Sequence, residues 1–137
     1  MKGKTIKEIK IGDKASIAKT ITEGDVYLFA GITGDQNPAH INEEVAKNTI
    51  FKGRIAHGML LAGLISAVLG MQLPGPGTIY MGQDLKFTAP VRFGDTITAQ
   101  VEVIEIIKEK IVKLETTCTN QEGAFVVEGT AIVMPPK

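Results

Sequence analysis

The chain has 137 residues, 44% hydrophobic and 22% charged, which suits one soluble globular domain with one core. Fifteen Lys and Arg balance fifteen Asp and Glu, so the charge gives no case for a nucleic acid or an anionic membrane as partner. The single cysteine, Cys118, excludes an intrachain disulfide framework and fits a reducing compartment.

Cys118 falls in a strand-like segment and reads as a buried bystander rather than a nucleophile. Met1-Lys2-Gly3-Lys4 leads into no apolar signal region, and the uncharged run Gly58 to Met71 is too short to span a bilayer. A cytoplasmic protein is expected. No linker, low-complexity tract or internal repeat interrupts the sequence, so residues 1–137 are read as one domain.

In chain order, a first strand is predicted around Lys14 to Thr20. Thr22-Glu23-Gly24-Asp25 resembles a capping box with Asp in its last position, and Val26, Phe29 and Ala30 follow at helical spacing. That helix should stop near Gly31 to Gly34. Asn42 can cap a short helix through Glu43, Glu44, Val45 and Ala46. Gly58 to Met71 carries no charge on any face and is expected to be a helix buried on nearly every side, ended by Pro74-Gly75-Pro76-Gly77. From Thr78 the period changes to two.

Ile97, Ala99, Val101 and Val103 alternate with Thr98, Gln100 and Glu102, as a half-buried strand requires. The phase slips by one at Ile104 and Ile106, which predicts a bulge or a bend there. Val112, Leu114, Thr116 and Cys118 line one face of the next strand, and Phe125 to Met134 form the last. Tight connections near Lys108 to Lys110 and Asn120 to Gly123 imply an antiparallel meander. The predicted class is α+β, an antiparallel sheet wrapped around one central helix. Exposed edges of so small a sheet favour a homodimer.

The chemistry concentrates in Asp35-Gln36-Asn37-Pro38-Ala39-His40. Pro38 forces Asn37 into an extended conformation and turns the chain. Asn37 can bond to neighbouring backbone and hold that turn. Asp35 and His40 then sit on a stiff loop where a carboxylate and an imidazole can converge for proton transfer. The plainer alternative is that Asp35 caps a turn and His40 is an ordinary loop histidine. The flanking Gly34, the inserted Asn-Pro and the apolar helix that follows favour the catalytic reading.

Two histidines, no cysteine cluster and no ligand spacing argue against a metal. Gly58 opens the apolar helix, where free N–H groups and partial positive charge suit a carbonyl oxygen gaining charge. Gly58 alone fits helix packing equally well; beside the Asp-His loop the oxyanion role is favoured. His57 reads as a packing or capping residue.

Gly34-Asp35-x-Asn37-Pro38-x-His40, followed by Ile55-Ala56-His57-Gly58-Met59-Leu60, resembles the MaoC-like, (R)-specific enoyl-CoA hydratases with a hot dog fold. Gly77-x-Ile79-Tyr80-x-Gly82-Gln83 and Pro90-Val91-x-x-Gly94-Asp95 are similar to bacterial members linked to polyhydroxyalkanoate synthesis. The similarity extends over essentially the whole chain, with no departure at the catalytic positions. The resemblance implies a cofactor-independent lyase that adds water to a trans-2-enoyl-CoA, giving (R)-3-hydroxyacyl-CoA. Asp35 and His40 would activate water, and the Gly58 amide would polarise the thioester carbonyl.

Asn37 is carried as a substrate-binding residue, and Ser66, Leu69 and Met134 fall where the family lines its acyl pocket. The bulk of Leu69 and Met134 points to short acyl chains such as crotonyl. Lys52, Arg54, Lys86 and Arg92 are all candidates for the CoA phosphates. Alternatives are the same chemistry on an acyl carrier protein, a thioesterase, or a non-catalytic acyl-CoA-binding module.

Overall fold

The computed structural model describes residues 2–137. Chain order is β1 (Lys14–Thr20), α1 (Glu23–Thr33), α2 (Pro38–Ile41), α3 (Glu43–Ala46), α4 (Gly58–Met71), β2 (Ile79–Phe87), β3 (Thr96–Ile107), β4 (Ile111–Thr119) and β5 (Phe125–Met134), after one 3-10 turn at Ile6–Glu8. The five strands form one sheet in the order β1-β3-β4-β5-β2, and every neighbouring pair is antiparallel. The run β3-β4-β5 is the expected meander. By contrast, β2 does not pair with the strand that follows it but lies beside the last one, as an edge.

The alternation in β3 has the expected consequence: Ile97, Ala99, Val101 and Val103 are all buried. So are Val112, Leu114, Thr116 and Cys118 on β4. The pairing register of β3 with β4 shifts between Val103 and Glu105, which places a bulge at Ile104 as the sequence phase requires. Buried Thr116 finds its partner across the sheet, its Oγ1 lying 2.9 Å from the Gln83 Nε2 amide. Burial pushes the Cys118 thiol up to about 12, so the thiolate needed of a nucleophile does not form at neutral pH.

The concave face of the sheet holds α4 through Leu61, Ile65, Val68 and Leu69, which join one core with residues of β3, β4 and β5. Here the expectation of a helix buried on nearly every side needs correction. Met59, Gly63 and Ser66 lie on the other face of α4 and are exposed, as is Met71. One sheet wraps one side of a helix, and among the described residues nothing buries the other. Ile79, Tyr80, Met81 and Phe87 of edge strand β2 are exposed as well. No helix among the described residues is long and apolar enough to cross a membrane.

Candidate active site

Local sequence rules place the Asp35 loop. The Thr22 hydroxyl accepts from the Asp25 N–H at 3.1 Å and the Asp25 carboxylate accepts from the Thr22 N–H at 3.0 Å, so α1 begins on the expected capping box. It ends where Gly34 adopts a left-handed φ of 81° and donates its N–H to the Ala30 carbonyl at 2.9 Å. The chain therefore leaves the helix at Asp35.

Three local hydrogen bonds stiffen the loop from Asp35 to Ala39. The Asp35 N–H donates to Thr33 Oγ1 (3.1 Å), the Asn37 N–H to Asp35 Oδ1 (3.3 Å), and the Ala39 N–H to Asn37 Oδ1 (3.0 Å). Asn37 is thus the cap of α2, with Pro38 at its first position. Its side-chain oxygen holds the turn, which leaves the amide nitrogen as the group Asn37 can offer a ligand.

His40 ends up half-buried, and its Nδ1 lies 2.7 Å from the Ile55 carbonyl oxygen. A carbonyl only accepts, so Nδ1 carries the hydrogen and Nε2 presents its lone pair. The Ile55 N–H donates in return to the Ala39 carbonyl at 3.1 Å. These two bonds dock the loop against residues 55–57, immediately before α4. Polar side-chain atoms of Asp35, His40 and His57 come within 4.8 Å of one another. The structure therefore brings Asp35 and His40 together as the loop reading expects.

It also corrects the ground on which a metal was set aside. Sequence spacing showed no ligand set, yet the fold assembles three candidate donors. Each imidazole already commits one nitrogen to a backbone carbonyl, His40 to Ile55 and His57 to Asp35.

Beside His40 opens a cavity of about 390 Å³, lined by Ile55, Gly58, Leu61, Phe87, Val91 and Val126 among others. Gly58 is the first residue of α4, and no backbone carbonyl among the described residues accepts from its N–H. A β-carbon on Gly58 would stand 2.6 Å from the Phe87 ring, so only glycine lets that ring lie against the helix end. Neither a residue pattern nor a motif singled out Phe87. Its signal was an aromatic at the end of a strand, two residues before Ala89-Pro90.

Phe87 also lines a second cavity of about 470 Å³, with Met59, Gly63, Ser66, Tyr80 and Gln83. Ser66 thus adjoins the site. Leu69 lies in the core instead, on the sheet-facing side of α4. Met134 is not brought to the site within one chain. It pairs with Ile79 whereas Val127 pairs with Phe87, and the seven steps from Val127 to Met134 correspond to about 24 Å of strand.

Among the cations, Arg54 is engaged by Glu23 (3.0 Å), Glu43 (3.2 Å) and the Tyr27 hydroxyl (2.6 Å). The hydrogen bond from Arg54 is the chief reason the Glu23 carboxyl lies below its ordinary range. Arg92 binds the Phe51 and Gly53 carbonyls. Lys86 lines a polar hollow with Asp84, Glu115 and Glu128. Lys52 is exposed in the turn next to Phe51, which itself lines the first cavity.

A helix cradled by an antiparallel sheet, with an Asp-His loop docked just before the start of that helix, defines a hot dog domain. Residues 6–124 match the MaoC like domain, and the chain belongs to that family. It is 61% identical over 130 residues to the (R)-specific enoyl-CoA hydratase of Rhodospirillum rubrum, covering 94% of this chain and 90% of that one. Identity to the 3-hydroxybutyryl-CoA dehydratase of Methylorubrum extorquens is 48% over 131 residues, with 95% and 83% covered. The solved (R)-hydratase of Aeromonas caviae, described as involved in PHA biosynthesis, matches with a TM-score of 0.90 at 44% identity, covering 93% of this chain and 98% of that one.

Proposed function

We propose that the protein is a cofactor-independent (R)-specific enoyl-CoA hydratase, adding water reversibly across a trans-2-enoyl-CoA. The observation that carries this reading is the convergence of Asp35 and His40 beside one apolar cavity, which His40 and Gly58 line together. The relatives' names support the substrate class.

In the forward reaction the thioester oxygen accepts from the Gly58 N–H, and the bond strengthens as C3 is attacked and the oxygen gains enolate charge. Asp35 takes a proton from water while the water oxygen bonds to C3. The lone pair on His40 Nε2 fixes that water and shares the proton relay. The Asp35–His40 pair then returns that proton to C2, so that the product differs from substrate by one water and the enzyme is restored. The oxygen bonds on the face that the Asp35 loop presents, which sets the (R) configuration.

The acyl chain runs past Phe87 towards Ser66, where one methylene is worth about 1–3 kcal/mol. Lys52 is the cation best placed to meet a CoA phosphate. Asn37 contributes through its amide nitrogen.

The test is direct. Purified protein with crotonyl-CoA should lose the enoyl-thioester absorbance, and the product should be oxidised by an (R)-specific hydroxyacyl dehydrogenase. No absorbance change, or oxidation only by an (S)-specific enzyme, would overturn the assignment. Faster turnover of the carrier-protein thioester would make the protein a dehydratase of that pathway instead.

A homodimer is part of the proposal, and a cytoplasmic location goes with it. The exposed apolar residues of β2 adjoin the uncovered face of α4, which is the side a second copy would close. Sedimentation at micromolar concentration should give twice the chain mass of 14.7 kDa. A monomer would remove this element.

A further inference from the structure

Hydration needs Asp35 and His40, and leaves His57 without a task. Yet His57 is only 2% exposed, among the most enclosed polar side chains in the chain. Its Nε2 lies 2.9 Å from the backbone carbonyl oxygen of Asp35. Because that carbonyl can only accept, Nε2 bears the hydrogen and donates it. The ring centroid is 3.9 Å from that of His40 and 4.8 Å from that of Phe29. Finally, His57 is the residue immediately before Gly58, at the N-cap position of α4, where its side chain makes no capping bond.

One buried ring therefore touches each of the three reacting groups by a different means. It reaches Asp35 by a hydrogen bond to that residue's own peptide, His40 by ring contact, and Gly58 through the chain. We propose that His57 is a positioning residue, which sets the carboxylate, the imidazole and the amide in register without touching substrate. A side chain needed only to fill space would not require a donor at Nε2. The cost of that donor is visible, since His57 Nδ1 is enclosed with no hydrogen-bond partner among the described residues. An apolar residue would carry no such penalty, and the bond to Asp35 is what offsets it. The kinetic consequence of the inference rests on the hydratase reading; its structural consequence does not.

Glutamine and asparagine separate the two roles, because the amide nitrogen of Gln reaches the position of Nε2 and that of Asn reaches only the position of Nδ1. His57→Asn should lower kcat on crotonyl-CoA by about 10²-fold with KM within about twofold, the signature of misplaced reacting groups rather than lost binding. His57→Gln should recover at least tenfold of that loss. In parallel, amide hydrogen exchange across Asp35 to Ala39 should quicken in the Asn variant and slow again in the Gln variant. Should the Asn variant fail to fold, His57→Phe, which keeps a ring and lacks the donor, takes its place in both measurements.

Equal kcat in the Asn and Gln variants, or unchanged exchange in the loop, would overturn the proposal. A wild-type protein inert towards crotonyl-CoA would instead remove the hydratase reading, and the exchange comparison alone would then decide whether His57 holds the loop.

Discussion

Asp35→Asn and His40→Gln are each expected to lower kcat on crotonyl-CoA by about 10²- to 10⁴-fold, the range that positioned acid/base groups contribute. The two substitutions act differently on the same water. Asn at 35 keeps an oxygen that can accept from the Asn37 N–H, as Asp35 Oδ1 does at 3.3 Å, so the turn survives while the base is lost. Gln at 40 places its amide where Nε2 stood beside the water but offers no basic nitrogen there, and it gives up the 2.7 Å bond from Nδ1 to the Ile55 carbonyl. The loop's other bonds, among them Ala39 N–H to Asn37 Oδ1 and Ile55 N–H to the Ala39 carbonyl, should keep both variants folded, and KM should change far less than kcat. The double variant should be little worse than the poorer single one, because a relay broken at one point is broken. Stopped assays with a coupled (R)-specific dehydrogenase resolve losses of this size. Turnover within a few-fold of wild type in either variant would take that residue out of the mechanism.

Ile65→Ala should act on the fold and spare the chemistry. Ile65 is fully buried on the face of α4 that meets the sheet, and it does not line the first cavity. Removing most of such a side chain costs about 2–5 kcal/mol, the spread reflecting how far the site collapses. Against a typical total of about 5–15 kcal/mol this is a large fraction of stability. The urea midpoint should fall accordingly with an unchanged slope. The kcat of the molecules that remain folded should stay close to wild type. Leu61 is the informative contrast, because it belongs both to the core and to the cavity wall, so its truncation should lower stability and activity together.

Much of this architecture was legible in the sequence because it is local. The capping box at Thr22 and the alternation from Ile97 to Val103 each need only a few neighbouring residues to state their conformation. So does the phase slip at Ile104. The Asp35–His40 convergence belonged to the same class, since Asn37 and Pro38 lie between the two and force the turn.

What was not legible depends on residues far apart in the chain. Nothing in the composition of Ile79 to Phe87 says that it lies beside the last strand rather than the next one. The distance of Met134 from the site follows from that pairing alone. The second face of α4 misled for a related reason: an apolar surface reports that something covers it, and not that the same chain does so. His57 was readable as a buried histidine, but its bond to the Asp35 carbonyl spans 22 positions and leaves no periodic trace.

The edge position of β2 has a consequence for selectivity. Phe87 closes that strand, lies against Gly58, and forms the wall common to both cavities. The outer backbone groups of the strand are open to pairing, and whatever pairs with them fixes the twist of the strand and so the tilt of that ring. In the proposed dimer, acyl-chain choice would be tied to quaternary contacts as much as to the residues that touch the chain. Substitutions at Ile79 or Met81, remote from every reacting atom, belong in any effort to retune which thioesters are accepted.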